Sequence, residues 1–210
     1  MIFREQALTA AQHLGIRYSI FSRGSVRRFK RGPVQLSDIK YVLDVAKRAP
    51  SGANRQPWRF LVVGDDEIKQ IIRRECEAVE REFHKRADPS LKKWLEARGI
   101  TWEKPFLTEA PFLILVFGKA DEPYWIEGVW LAIVFMLLAI RELGYSTLTY
   151  IPSKTGWANE VLRIPGRLQA PSDPPDRKTR GTRIASEKTT VKRNSLLRWV
   201  EEKLPRRIVC

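Results

Sequence analysis

Cysteine and histidine are nearly absent from this chain, with two of each in 210 residues. Cys76 and Cys210 are too few for a disulfide framework, and neither stands in a Cys-x-x-Cys pair or a mixed Cys/His cluster of metal-ligand spacing. Their scarcity excludes a disulfide-stapled miniprotein and a zinc module, and it fits a reducing, cytoplasmic setting. The two histidines, His13 and His84, stand alone, which suits surface or capping positions. Long apolar runs are missing too. The longest, GVWLAIVFMLLAI at 128–140, is bounded by Glu127 and by Arg141 with Glu142, and it falls short of the roughly 18 residues that a membrane-spanning helix needs. It reads as a helix buried on nearly all sides, in a core or a subunit interface. The first twenty residues mix Arg4, Glu5, His13 and Arg17 with apolar positions, so a secretory leader is not expected there.

What the chain has in excess is positive charge: 38 Lys and Arg against 24 Asp and Glu, a net +14. The excess is concentrated. Between Arg177 and Cys210 stand eleven Lys or Arg and three Glu, so this last stretch carries +8 of the total. From about Pro165 the composition turns to Pro, Gly, Arg and Asp, as in GRLQAPSDPPDRKTRGTR, the mark of a linker or surface tail. Two parts are expected: a globular domain over 1–165 and a basic extension over 166–210. With Trp199 as its one aromatic and no nucleic-acid motif, the extension supports only non-specific contact with an anionic partner.

Within the domain, periodicity predicts a helix over Leu36 to Arg48, capped by Ser37 or Asp38, and a strand at Arg59 to Gly64. A long amphipathic helix is predicted over about 66–86, and residues 87–109 read as an aperiodic excursion or lid. A second strand is predicted at Phe112 to Phe117, the apolar helix at 127–143 with Gly144 closing it, and a third strand at Ser146 to Tyr150. Residues 195–204 have the pattern of a short amphipathic helix. The rhythm is that of an α+β or α/β domain around one sheet.

Two segments concentrate polar chemistry. In RGSVRRF at 23–29, Arg23, Ser25 and Arg27 alternate, so on extended backbone they project to one side as donors for a phosphate or a ring carbonyl. A solvated basic loop would show the same spacing. In AKRAPSGANRQPWRF at 46–60, Pro50 stops a helix, Ser51 and Gly52 allow a tight turn with free amides, and Asn54 and Gln56 add side-chain amides. An ordinary helix-to-strand connection has similar ingredients.

The order RGSVRRF, then APSGANRQPW, then TEAPFLILVFG at 108–118 and GYSTLTY at 144–150 resembles the FMN-dependent nitroreductase family, over roughly residues 20–165. The resemblance implies an α+β sandwich with a central mixed, mainly antiparallel sheet flanked by helices, assembled as an intertwined homodimer with FMN in two clefts between subunits. It implies that Arg23, Ser25 and Arg27 hold the flavin phosphate, ribityl chain and pyrimidine edge, with Arg27 stabilising the anionic reduced ring. Pro50, Ser51, Gly52 and Asn54 would line the flavin from the partner subunit. Thr147 and Thr149 fall where donors to the flavin N5 are placed, and such a donor would favour one-electron steps. Arg177, Lys178 or Arg180 would supply a phosphate contact from the C-terminal side, where the family's final strand and turn are not evident.

The implied activity is passage of electrons from NAD(P)H through FMN to a small aromatic acceptor, a nitroaromatic, quinone or halogenated phenol, by a ping-pong mechanism. The stretches EREFHKR at 80–86 and TWEKPFLTEAP at 101–111 resemble the lid of the iodotyrosine deiodinase branch, in which a Glu, a Tyr and a Lys grip an amino-acid zwitterion. Lys104 matches the Lys. Phe83 replaces the Tyr and Val79 the Glu, with Glu80 adjacent. Reductive dehalogenation of halotyrosine is therefore the alternative expectation, and Phe83 and Lys104 are the acceptor-side candidates. A flavin-binding protein without turnover, or a protein that binds an anionic partner through its tail, are the readings of other classes.

Overall fold

Residues 15–30, 32–171 and 208–209 are described by the computed structural model. The element order is α1 Ile16–Ser22, α2 Leu36–Ala46, a 3₁₀ turn Gly52–Asn54, β1 Trp58–Val63, α3 Asp66–Arg86, α4 Pro89–Glu96, α5 Phe106–Glu109, β2 Leu113–Lys119, α6 Trp125–Glu142, α7 Trp157–Val161, β3 Leu168–Gln169 and β4 Ile208–Val209. One sheet runs in the order β3-β2-β1-β4. Its three strand pairs are antiparallel, with Phe60 opposite Val116 at the centre of the β1–β2 ladder. The parallel element among the described residues is an isolated bridge between Ser25 and Thr147.

The side-chain alternation of a strand assigns the two faces. From β1, Leu61 and Val63 enter a cluster with Ile72 and Cys76 of α3, Phe106 and Leu107 of α5, and Ala158 of α7. Val62 points the other way, among Val42, Leu43 and Ala46 of α2 and Met136, Ala139 and Leu143 of α6 and its end. Helices therefore cover both faces of an antiparallel sheet, the α+β sandwich that the family resemblance implied. At Gly118 in β2, an added Cβ would lie 2.4 Å from Trp125 Cε3 and 2.8 Å from Val129 Cγ2. The start of α6 thus rests directly on the strand.

The capping chemistry explains several boundaries. Asp65 accepts from the amides of Glu67 and Ile68 at 3.0 and 3.2 Å at the start of α3. Asp88 does the same for Ser90 and Leu91 at 2.9 and 3.0 Å, with Pro89 in the first turn of α4. Gly144 takes a left-handed φ of 83° just beyond α6, as expected of a helix-terminating glycine.

Four expectations are corrected. The 87–109 excursion contains the helix α4 and the one-turn α5; its Asp88–Pro89–Ser90 start signal outweighs the missing long-range period. Helix α2 starts after Gln35 without a side-chain cap, and Asp38 instead accepts from the Tyr145 hydroxyl at 2.7 Å. Ser146–Tyr150 is not a strand. The strand neighbours of β2 and β1 are supplied by Leu168–Gln169 and Ile208–Val209, so the Thr- and Tyr-rich stretch packs Leu148 and Tyr150 onto the α3 cluster instead. The sheet also gains a strand at Leu168–Gln169, where a missing strand was expected. The 195–204 segment lies outside the described residues.

Candidate functional site

The arginine-serine segment follows α1 in extended backbone, and the Val26 amide donates to the Thr147 carbonyl at 3.1 Å. This bond, with the Ser25–Thr147 bridge, brings together two segments that the sequence reading had assigned to the cofactor. Arg23, Ser25 and Arg27 are exposed, and Thr147 is half-buried. A cavity beside them is lined by Ser22, Arg23, Gly24, Val26, Thr147 and, from α6, Leu137 and Arg141. Arg141 holds its near wall: its Nε donates to Ser22 Oγ at 2.8 Å and its Nη2 to the Tyr18 hydroxyl at 2.7 Å. Periodicity gave no reason to single out Arg141, because it sits at the end of an apolar helix.

The proline-serine-glycine bend is a strained turn. Ala53, Asn54 and Gln56 have φ of 48°, 52° and 48°, a left-handed region that residues with a Cβ enter at a cost of order 1 kcal/mol or more each. The turn is held from within. Ser51 Oγ accepts from the Gln56 amide at 2.9 Å, and the Gln56 side chain donates to Asn54 Oδ1 at 3.0 Å. The amides of Asn54 and Arg55 close onto the carbonyls of Ser51 and Gly52. Clustered left-handed residues in an otherwise regular fold are a mark of a ligand-shaped turn. The bend also leans on Tyr124, a residue the sequence did not advertise. A Cβ on Gly52 would come within 3.0 Å of Tyr124 Cδ2, and Tyr124 is 69% exposed with φ 53° at the entrance to α6.

Both segments lean on α6, at different ends of it. The Ser51 side chain lies against Gly128, whose added Cβ would be 3.5 Å from Ser51 Cβ. The arginine-serine cavity is lined by Leu137 and Arg141. At about 1.5 Å per residue, these lie about 13 and 20 Å further along the helix axis. The structure therefore sets the segment that carries Arg23, Ser25 and Arg27 beside Thr147, and it keeps Pro50, Ser51, Gly52 and Asn54 at the other end of α6 within one chain.

The acceptor-side candidates differ from each other. Phe83 is 40% exposed on α3. Lys104 is 5% exposed and turned inward. Its Nζ donates to the Thr101 carbonyl, lies 3.6 Å from Glu80 Oε2 and sits 5.8 Å from the centre of the Tyr150 ring. Burial holds the Lys104 ammonium below its ordinary pKa, partly offset by the Glu80 carboxylate. Glu80, itself buried, accepts from the Ser153 amide at 2.7 Å. Cys76 completes the cluster, and burial pushes its thiol up to about 12. The Tyr150 hydroxyl is buried beside the Cys76 thiol and the Glu80 carboxylate, and burial, reinforced by both, raises its pKa. Trp102 on the same segment lies under the Arg81 guanidinium at 4.2 Å. Arg177 lies outside the described residues, as do Lys178 and Arg180. Thr149 is exposed two residues beyond Thr147.

Among the described residues no group of His, Cys, Asp or Glu could hold a metal ion, and no helix is long and apolar enough to cross a membrane. Residues 20–168 match the Nitroreductase family. A curated protein named iodotyrosine deiodinase from Thermotoga neapolitana is 45% identical over 147 residues, 70% of this chain and 79% of its own length. A second of that name, from Haliscomenobacter hydrossis, is 37% identical over 156 residues, 68% of this chain and 69% of its own. Among solved structures, one described as oxidised iodotyrosine deiodinase bound to FMN and 3-iodo-L-tyrosine is 38% identical. It superposes with a TM-score of 0.70, covering 86% of this chain and 100% of that one.

Proposed function

This chain belongs to the nitroreductase family, and from that premise we propose that it is an FMN-dependent reductive dehalogenase of halotyrosine-class phenols, acting as a homodimer. The observation that carries the reading is the 45% identity to a protein of iodotyrosine deiodinase name over most of both chains. The site chemistry fits the cofactor. Two exposed guanidiniums and a serine hydroxyl on one extended segment suit a phosphate and a polar ring edge, and the strained bend leaves the amides of Gly52 and Ala53 without an intrachain acceptor among the described residues.

FMN, when bound, supplies the two electrons, replenished by NAD(P)H, that convert an aryl carbon–halogen bond and a proton into an aryl carbon–hydrogen bond and a halide ion. The protein's part is binding and tuning. Arg23 and Ser25 hold the phosphate and ribityl chain, and Arg27 places positive charge at the pyrimidine edge, where the reduced ring becomes anionic. Thr147 and Thr149 offer hydroxyls to N5. Pro50, Ser51, Gly52 and Asn54 come from the second copy, which supports the dimer: about 13 to 20 Å of α6 separates them from the arginine-serine cluster of their own chain. An uncovered apolar surface accompanies this geometry, with Phe21 82%, Ile16 69% and Ile20 52% exposed on α1 and Val134 47% and Leu131 40% exposed on α6. Faces of this kind mark interaction sites.

A second reading is reduction of nitroaromatics or quinones by NAD(P)H. It is favoured by the lid: Val79 and Phe83 are apolar, and Lys104 is paired with Glu80. Under the first reading, Lys104 exchanges Glu80 for the carboxylate of the acceptor. Anaerobic mixing of the FMN-loaded, NAD(P)H-reduced protein with 3-iodotyrosine and with a nitroaromatic separates them. Iodide release with flavin reoxidation supports the dehalogenase, reoxidation by the nitroaromatic alone supports the second reading, and failure to take up FMN overturns both.

A further inference from the structure

The segment 147–153, which carries both threonines, is pinned at two ends. At its start the Thr147 carbonyl accepts from the Val26 amide at 3.1 Å. At its finish the Ser153 amide donates to Glu80 Oε1 at 2.7 Å, and Ser153 Oγ donates to the Val79 carbonyl at 3.2 Å. Between these points Tyr150 packs edge-on against Phe106 with ring centres 5.3 Å apart. One end of the strap is thus fixed to the arginine-serine cluster and the other to helix α3, through a carboxylate that also faces Lys104 at 3.6 Å. Lys104 belongs to the 101–110 segment, whose backbone is tied to α3 a second time: the Lys104 amide donates to Glu77 Oε1 at 2.8 Å.

We propose that Glu80 is a positioning residue that joins the α3 and 101–104 lid to the strap bearing Thr147 and Thr149, so that displacement of the lid changes the surroundings of the flavin's reactive edge. Two features make Glu80 the junction. It is a buried carboxylate that touches both the strap and the lid lysine, and among the described residues the strap joins no strand of the four-stranded sheet, its one bridge being that of Thr147 to Ser25 at the far end from Glu80. A hydrogen bond to a buried carboxylate is also among the stronger single links a backbone amide can make. The coupling to the flavin rests on the FMN reading, whereas the tether does not.

Charge and tether are separable by substitution. In Glu80→Gln with Lys104→Met, the buried ion pair is removed, and the introduced side-chain amide keeps an oxygen that accepts from Ser153. In Glu80→Met with Lys104→Met the volume is similar and the acceptor is gone. Replacing a buried ion pair by neutral groups of similar size is commonly tolerated, so both proteins should fold, as circular dichroism would verify. Hydrogen exchange in the flavin-free proteins reads the tether. Protection across 147–153 should match the parent in the glutamine pair and fall about tenfold in the methionine pair, the size expected for one hydrogen bond to a polar partner in a buried site. Equal protection in the two overturns the tether. In the FMN-loaded proteins, the flavin midpoint potential should stay at the parent value in the glutamine pair and move in the methionine pair. A potential that stays put while exchange differs overturns the coupling, and a protein that takes up no FMN overturns it together with the flavin reading while leaving the tether decided by exchange.

Discussion

Ser25 and Thr147, far apart in the sequence, meet in a parallel backbone bridge, and the next amide, Val26, donates to the Thr147 carbonyl at 3.1 Å. The bridge sets the arginine-serine cluster beside the threonine strap. Arg27 then stands one residue beyond the bonded amide, on the segment proposed to hold the flavin. Arg27→Ala is expected to weaken FMN binding by roughly tenfold to a hundredfold, the range for loss of one charge-assisted hydrogen bond. Quenching of flavin fluorescence on titration measures it, and unchanged affinity would remove Arg27 from the site.

The dimer is tested on the uncovered stripe of α6. Leu131→Arg with Val134→Arg puts two charges on a face that is apolar and exposed in the single chain. Sedimentation should show a monomer, and FMN uptake should fall in parallel, because the bend at 50–54 would no longer reach the cluster at 23–27. A monomer that keeps its flavin would contradict the shared site.

Gly118 lies where α6 rests on β2. An alanine Cβ there would stand 2.4 Å from Trp125 and 2.8 Å from Val129, inside any acceptable contact. Gly118→Ala is expected to destabilise the fold by about 1–3 kcal/mol, the usual cost of overpacking, read as a lowered urea midpoint. A midpoint like that of the parent would mean that α6 can lift away from the strand.

Alkali should loosen the packing of α2 on α6. The Tyr41 hydroxyl donates to Glu142 Oε2 at 2.7 Å, and that bond raises its pKa to about 12. Burial and Asp38 likewise raise Tyr145 to about 12. A group whose pKa is raised on folding contributes stability that is complete below its unfolded value and disappears as pH climbs through its folded value. Stability should therefore decline between about pH 10 and pH 12. Tyr41→Phe with Tyr145→Phe should flatten that decline in urea melts recorded across the range.

Cys76 is buried, and its thiol is pushed up to about 12. In a Cys210→Ser background, iodoacetamide at about pH 8.5 should leave Cys76 intact in the native protein and modify it after unfolding, because the thiolate is the reactive form. Mass spectrometry of the intact chain reads the adduct. Fast native labelling would show that the cluster beneath α3 opens readily.

How much was legible depended on whether a signal was local. Helices α2, α3 and α6 and strands β1 and β2 followed from period and composition, since Ile68, Ile72 and Cys76 fall on one helical stripe and Leu61, Val62 and Val63 form an apolar run; the sandwich followed from the family resemblance. Helix α4 was also locally marked, by Asp88–Pro89, but lay within a stretch lacking a long period. The strap at 146–150 has strand-like residues without becoming a strand, because pairing depends on which segments lie beside β1 and β2, and Leu168–Gln169 and Ile208–Val209 do so.

The sequence by itself determined the elements and the chemistry on offer: alternating donors at 23–27, a turn-forming bend at 50–54, and a helix too apolar to stand alone. Only the tertiary structure decided which of these meet. It joined Ser25 to Thr147, kept Ser51 at the other end of α6, and turned Lys104 inward onto Glu80. Contacts between residues far apart in the chain depend on how whole elements pack, and no local period or propensity encodes that arrangement.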